Sequence, residues 1–303
     1  MKVLIFGGSG TFGTAMTNKI IDKVDMVIHY DRDEKNQYLS KQKNHDSKIV
    51  RIIGDIRDRE AIDNCISTYK PDVVMLASAM KHIDKCEAYP DECRKTNIDG
   101  CINVINSCIA NNVPKLVFLS TDKATNPTTI YGCSKLFVEM YIQAVDSKNT
   151  TILTTRYGNV LGSNGSVLDI WRKQAEKGEP LTITNPHMTR FFMSIEQAVN
   201  LVLFALENGN NKDLWVYNNK ACTIKDLADC ISDNQIETGL RCEEKNDEAL
   251  LTINELSHSK IIGNYYQVNK TIERILCECT QPFRSDNAER LTKEEIIEMI
   301  KEV

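Results

Sequence analysis

The chain opens with an apolar run, Met1-Lys-Val-Leu-Ile-Phe6, that passes directly into Gly7-Gly8-Ser9-Gly10-Thr11-Phe12-Gly13 and then into a helical stretch reaching about Lys23. Glycines at 7, 10 and 13 form G-x-x-G-x-x-G. That spacing lets the chain turn tightly and brings backbone amides up to a pyrophosphate at a helix N-terminus. A glycine-rich turn alone is a weak signal. Between a strand and a helix, at the start of a β-α-β unit, it reads as a dinucleotide site, with Ser9, Thr11 and Phe12 on the same turn.

The alternation continues. A second strand, Met26 to Tyr30, ends in Asp31-Arg32-Asp33-Glu34-Lys35, where the ribose of an adenosine belongs. A carboxylate there accepts from a ribose 2′-hydroxyl and favours NAD, whereas a guanidinium pairs with a 2′-phosphate and favours NADP. Asp31 and Arg32 point to different cofactors, so the residues leave both open. A third strand, Ile49 to Ile53, leads to Gly54-Asp55-Ile56, with Asp55 placed for the adenine edge and Asp58 as a helix N-cap. The fourth, Pro71 to Leu76, ends in Ala77-Ser78-Ala79, small residues where a cofactor passes close to backbone. Met80-Lys81-His82 follows, where Lys81 and His82 can reach substrate, a lone His at such a place being also readable as a satisfied structural residue. A long helix is expected over Pro90 to Asn111, carrying Asn97 among apolar residues. Lys115 to Leu119 and Thr151 to Thr155 are further strands. Repeated strand and helix without a linker means a doubly wound parallel sheet. Residues 1–161 are assigned to this dinucleotide-binding domain. Residues 162–303, where the alternation weakens, are assigned mainly to a smaller substrate lobe with segments returning to the first domain.

The chemistry concentrates in Ser120-Thr121-Asp122-Lys123-Ala124-Thr125-Asn126-Pro127-Thr128-Thr129-Ile130-Tyr131-Gly132-Cys133-Ser134-Lys135. It runs from a strand end through a loop into a helix, the position where ligands sit in open α/β sheets. Tyr131 and Lys135, four apart, share a helix face. The ammonium is expected to lower the phenol's pKa and make Tyr131 a general base. Further on, Arg190 in Thr189-Arg-Phe-Phe-Met193 and Arg241 in Arg241-Cys-Glu-Glu244 suit either an anionic diphosphate or surface ion pairs.

A formal net charge of -5 and a pI near 5.7 argue against nucleic-acid or anionic-membrane partners. No apolar run reaches the length of a membrane span, and a soluble, cytoplasmic protein is expected. The 11 cysteines lack zinc-like spacing; they are expected to be reduced fillers, and no metal is expected.

The glycine fingerprint together with Tyr131-x-x-x-Lys135 resembles the extended short-chain dehydrogenase/reductase superfamily, whose fold is Rossmann-type. Ser120-Thr-Asp-Lys-Ala-Thr-Asn-Pro127, Met80-Lys-His-Ile83, Lys95-Thr-Asn97, Arg156-Tyr-Gly-Asn159, Met188-Thr-Arg-Phe-Phe192 and Gly239-Leu-Arg241 narrow the resemblance to the inverting UDP-N-acetylglucosamine 4,6-dehydratases (5-epimerising).

The resemblance implies a catalytic set of Thr121, Tyr131 and Lys135, with Asp122 as acid and Lys123, partly neutral, as base. It implies UDP-sugar contacts from Lys81, Thr121, Asn159, Val160, Arg190, Arg241 and Glu244. On the cofactor side the assigned residues are Gly7, Ser9, Gly10, Thr11, Phe12, Gly13, Asp31, Arg32, Asp33, Lys35, Asp55, Ile56, Ala77, Ser78, Lys81, Asn97, Tyr131 and Lys135. The implied cofactor is NADP, with NAD the alternative because Asp31 stands where that branch commonly has Ser. Cys242-Glu243 also replaces its usual Pro-Gly. The implied reaction is oxidation at C4, loss of water across C5 and C6, and reduction at C6. It gives UDP-2-acetamido-2,6-dideoxy-L-arabino-hex-4-ulose, a precursor in surface-glycan biosynthesis. A homo-oligomer, dimer or hexamer, is implied as well. A nucleotide-sugar 4-epimerase or 4-keto-reductase is the alternative, and a non-catalytic dinucleotide sensor the remote one.

Overall fold

The computed structural model describes residues 1–163, 165–240, 244–273 and 280–302. The first half alternates as its sequence does. Strands β1 (Lys2–Phe6), β2 (Met26–Asp31), β3 (Ile49–Ile53), β4 (Val73–Leu76), β5 (Lys115–Leu119) and β6 (Thr151–Arg156) are separated by helices α1 (Thr11–Ile20), α2 (Glu34–Lys43), α3 (Arg59–Tyr69), α4 (Ile83–Ala88), α5 (Pro90–Cys93), α6 (Cys101–Ala110) and α7 (Ile130–Ala144).

The strands pair in parallel in the order β3-β2-β1-β4-β5-β6. The chain winds one way from β1 to β3 and the other way from β4 to β6. A crevice therefore opens above the carboxyl ends of β1 and β4, where an open α/β sheet takes its ligands. Both faces are covered, as parallel strands require. Leu4 and Phe6 of β1 pack with Ile62 of α3, Val104 of α6 and Val138 of α7. Val3 and Ile5 turn the other way, onto Met16 of α1 and onto Val199 and Val202. Full burial of each such side chain contributes ~1.5–3 kcal/mol, which makes the register of these strands the best-determined part of the fold.

The expected helical stretch over 90–111 runs without a break from Pro90 to Ala110, but it is not α-helical throughout. Residues Arg94–Gly100 between α5 and α6 form a π-helical segment. Gly100 lies there against Ile56, where an added Cβ would come within 2.7 Å of the isoleucine side chain.

After residue 158 come β7 (Asn159–Val160), α8 (Val167–Glu176), β8 (Leu181–Ile183), β9 (Thr189–Met193), α9 (Ile195–Asn208), β10 (Leu214–Tyr217), β11 (Ala221–Thr223), α10 (Ile224–Asp229), β12 (Gln235–Glu237), β13 (Ala249–Leu251), α11 (Ile253–Leu256), β14 (Ser259–Ile262), β15 (Tyr265–Val268), β16 (Phe283–Arg284) and α12 (Lys293–Lys301). Strand β10 extends the main sheet in parallel beside β6. Strands β15 and β14 close its edge in antiparallel fashion, making nine strands in all.

The remaining strands form small sheets, β11-β9-β7, β12-β8 and β13-β16. A separate core backs them, built on Trp171, Leu181, Phe192, Leu227 and Ile296. Strand β7 pairs with β9 two residues after β6 ends, Asn159 opposite Phe192. This pairing brings the second core up to the mouth of the crevice. No helix among the described residues is long and apolar enough to cross a membrane.

Candidate active site

The crevice is a cavity of about 740 Å³, lined along one arm by Gly7, Gly10, Thr11, Phe12, Asp31 and Arg32 and at the other by Thr121, Lys123, Tyr131 and Lys135. Gly7 has φ +86, and a Cβ there would lie 3.0 Å from the Ser78 backbone nitrogen. A Cβ on Gly13 would come within 2.5 Å of the Gly8 carbonyl oxygen. Both positions therefore exclude a side chain. Gly10 is the N-cap of α1 and has no side chain to close the first turn, which holds no acidic residue. Open amides beneath a glycine turn suit a dinucleotide's pyrophosphate, so the residues present fit that group.

Asp31 sits at the rim. Its Oδ2 accepts from Ser9 Oγ at 2.5 Å, and its Oδ1 accepts from the Asp33 amide at 3.2 Å. Arg32 lies half exposed, 3.5 Å from Asp55. Asp55 also accepts from Arg57 Nε and Nη2 at 2.9 and 2.7 Å. Burial works to raise the Asp55 carboxyl, but the Arg57 guanidinium holds it below the usual carboxylate range.

Asp33 caps α2 through the Asn36 amide and lines the cavity, as do Asp55, Ile56, Ala77 and Ser78. Four of the expected cofactor residues do not line the cavity: Ser9 and Gly13, which shape the glycine turn itself, and Lys35 and Asn97. Lys35 is exposed on α2 and does not line the cavity; Asn36 does. Asn97 is fully buried behind the wall. It accepts from the Met80 amide at 2.8 Å and donates to the Met80 carbonyl at 2.9 Å and to Ser134 Oγ at 3.1 Å. The π-helical turn aims this side chain inward, so it ties the strand-end loop after β4 to α7 and does not face the crevice.

At the inner end, Tyr131 and Lys135 stand on the first turns of α7, whose N-cap Thr129 accepts from the Gly132 amide. The expected lowering of the phenol by Lys135 is not found. Lys135 Nζ donates to the Leu119 carbonyl at 2.8 Å and lies over the Phe118 ring. Burial pushes this ammonium down and pushes the Tyr131 phenol up, with Tyr157 and Asp122 adding to the latter and a hydrogen bond with Thr121 opposing it. The pair is brought together by its helix, and the desolvation of both groups outweighs their proximity.

Thr121, Asp122 and Lys123 make one turn. Asp122 is fully buried; its Oδ1 accepts from Thr121 Oγ1 and from Lys123 Nζ, both at 3.0 Å. Lys123 Nζ also lies 3.4 Å from Asn159 Oδ1 and 3.7 Å from Glu248 Oε1. Burial works to lower the Lys123 ammonium, but the Asp122 and Glu248 carboxylates hold it above its ordinary value. The expected partly neutral amine is thus replaced by an ion pair.

A second cavity of about 300 Å³ shares Lys81, His82, Lys123 and Asn159 with the first, and adds Arg190, Glu244, Lys245 and Glu248. Val160 stays on the walls of the larger one. Burial lowers the Lys81 ammonium, with Asp169 opposing. Arg190, buried on β9, donates to the backbone carbonyls of Thr189, Asn246 and Lys245 at 2.7, 3.0 and 2.8 Å. It therefore clamps the segment before β13 while lining the cavity. Arg241 lies outside the described residues, as do Cys242 and Glu243.

Two features have no role assigned from the sequence. Glu248 belongs to a charged run that reads as surface. Buried Arg156 binds Glu139 of α7, Glu255 of α11 and the Leu250 carbonyl, and Ser120 donates to the same Glu139. This network ties β5, β6, α7 and β13 together beneath the site. The apolar Leu250-Leu251 that follows Glu248 is the one local hint that its segment turns inward.

A family model described as "Polysaccharide biosynthesis protein" matches residues 3–270. The chain belongs to the polysaccharide biosynthesis protein family. A curated relative, the UDP-glucose 4-epimerase of Rickettsia bellii (strain OSU 85-389), is 36% identical over 98% of this chain and 94% of its own. Pen from Bacillus thuringiensis, solved by X-ray crystallography, superposes with a TM-score of 0.91 at 31% identity, covering 100% of this chain and 98% of that one. This polysaccharide biosynthesis family member also shares its fold with DesIV, a dTDP-glucose 4,6-dehydratase from Streptomyces venezuelae solved with NAD. That match has a TM-score of 0.75 at 15% identity, over 99% of this chain and 96% of that one.

Proposed function

We propose that this chain is a nucleotide-sugar 4,6-dehydratase that converts UDP-N-acetylglucosamine to the 4-keto-6-deoxy L-arabino sugar. The observation that carries the reading is the Asp122–Lys123 pair, held at 3.0 Å: Lys123 lines both cavities, and Asp122 is buried directly behind it, near Tyr131. An oxidation or epimerisation at C4 needs the tyrosine alone. An adjacent acid and amine are what elimination of water adds.

A nicotinamide dinucleotide, when bound, supplies the hydride acceptor for C4 and the donor for C6. Tyr131 must first lose its own phenol proton to solvent along the crevice; as phenolate it then takes the C4 hydroxyl proton, with Thr121 aligning that hydroxyl. The C5 proton, now next to a ketone, goes to Lys123. Since Lys123 rests as an ammonium, it first passes its own proton to Asp122. Asp122 then gives that proton to the C6 hydroxyl as water departs. Lys123 ends protonated and Asp122 ionised, which restores the resting ion pair; C5 regains a proton from solvent on the opposite face as C6 is reduced, and Tyr131 returns its proton to solvent before the next turnover. Arg190, Lys81 and Asn159 face the side where the diphosphate and sugar bind. Asp31 at the ribose rim, with Arg32 drawn toward Asp55, supports NAD over NADP, because a 2′-phosphate would meet a carboxylate.

The relatives named UDP-glucose 4-epimerase favour a second reading, a 4-epimerase acting through Tyr131. Incubation with UDP-N-acetylglucosamine in deuterated water, followed by mass and proton NMR, separates the two. Loss of water with deuterium at C5 supports the dehydratase; a C4 epimer of unchanged mass overturns it.

A further inference from the structure

Glu248 is 4% exposed although its neighbours Lys245, Asn246 and Asp247 are polar. Its backbone is fixed on both sides: its amide donates to Ser285 Oγ at 3.0 Å, and its carbonyl accepts from the Ser285 amide at 2.8 Å. The side chain lies between two ammonium groups, Oε1 3.7 Å from Lys123 Nζ and Oε2 3.7 Å from Lys245 Nζ. Lys245 is committed elsewhere, to the Asn126 carbonyl at 2.6 Å and the Thr125 carbonyl at 3.2 Å. Glu248 Oε2 has no hydrogen-bond partner among the described residues. The carboxylate thus faces the Lys123 amine from the side opposite its own turn.

We propose that Glu248 is a positioning residue of this site: it fixes the Lys123 amine at the cavity wall and carries its counter-charge while Asp122 is protonated. The inference rests on the roles given to Asp122 and Lys123 under the proposed function. In the resting site Asp122 and Glu248 both face the Lys123 ammonium, Glu248 sharing its charge with Lys245. Once the proton has moved from Lys123 Nζ to Asp122, Asp122 is neutral. The amine then binds the C5 proton and becomes an ammonium again, and Glu248 is the charge that stabilises it. An opposite charge at this distance strengthens a base by about 1–3 pH units.

The other charged or titratable groups near Lys123 come from several elements. Arg190 on β9 opposes Glu248. Glu244 and Lys245 precede β13; Lys81, His82 and Asp84 follow β4; and Tyr131 stands on α7. Asp122 and Glu248 are carboxylates that pair with Lys123.

The test is direct titration by NMR of protein labelled at lysine Cε, with the Lys123 signal assigned by its loss in Lys123→Met. In Glu248→Gln the Lys123 midpoint is expected to fall by about 1–3 units. In turnover, kcat for C5 exchange falls on the order of 10-fold with KM little changed, and Glu248→Asp recovers part of it. A Lys123 midpoint that stays where it is in the unaltered protein overturns the inference. If Glu248→Gln does not fold, the reciprocal measurement decides. Lys123→Met should raise the midpoint of the Glu248 carboxyl, followed at Cδ, and a carboxyl that does not move overturns the inference equally. The titrations need no sugar. A protein that removes no water overturns the dehydratase reading and leaves the Lys123–Glu248 coupling measurable.

Discussion

The larger cavity is built from residues that follow strand ends by a few positions: Gly7 to Phe12 after β1, Asp31 to Asp33 after β2, Gly54 to Ile56 after β3, Ala77 to His82 after β4. The smaller one draws Lys81, Lys123, Asn159, Arg190 and Glu248 from five separate segments. The first is a property of a sheet edge and is set by strand register, which hydrophobic burial on both faces enforces. The second exists only because buried polar contacts, Arg190 to the 245–246 carbonyls and Arg156 to Glu139 and Glu255, hold distant segments in place. A change in one cavity should therefore leave the other's ligand binding intact, unless it strikes a contact that joins them.

The sharpest separation is at the chemistry. Lys123→Ala should lower water loss by about a hundred-fold to ten-thousand-fold while NAD or NADP still binds, as followed by product mass and by dinucleotide fluorescence. Near-normal turnover would remove Lys123 from its role. The junction comes next. Arg156→Met leaves two carboxylates buried without their cation, and should cost ~3–5 kcal/mol in urea unfolding while weakening binding in both cavities. A loss confined to one cavity would break the picture of a shared foundation.

In the dinucleotide half, His29 lies under the glycine turn and is bonded to Thr17 at 2.7 Å. Burial, with Arg51 adding, pushes its imidazole down to about 4. In the unfolded chain it titrates at about 6.5, so between those values the unfolded state binds a proton that the folded state does not. Stability from this group is full above about 6.5 and is lost as pH falls toward 4, by up to ~3 kcal/mol. His29→Gln should flatten that slope in pH-dependent thermal melts. The smallest effect expected is on the sugar side. Arg190→Lys keeps the charge but loses the planar clamp on the segment before β13, and should raise KM about 10-fold with dinucleotide affinity unchanged. Equal losses in both affinities would mean the clamp serves the whole molecule.

Much of this architecture is legible locally. The continuous apolar run of β1, buried on both faces, the N-cap at Asp58 and the i to i+4 spacing of Tyr131 and Lys135 are all readable from neighbours in the chain. The misreadings share a cause. Asn97 and Lys35 have the right chemistry at nearly the right place, but a π-helical turn aims one behind the wall and helix phase leaves the other outside the cavity. Likewise the charge state expected of Tyr131 takes in only its helix neighbour Lys135, and that expected of Lys123 leaves out Glu248; the burial of the one and the counter-charge of the other come from the fold.

The sequence by itself determined the strand–turn–helix edge, the doubly wound sheet and the side chains carried to its rim, because these depend on contacts within about one β-α-β unit and on glycines whose geometry no other residue tolerates. Tertiary structure alone decided which carboxylate faces Lys123, which arginine clamps and which is buried as a cross-brace, and how β9 and β13 close the second cavity. Those outcomes depend on dehydration and on polar groups brought together from segments far apart in the chain, as Thr125 and Leu250 are in a hydrogen bond that spans 125 residues. The strength of such contacts is set by burial that no local pattern records.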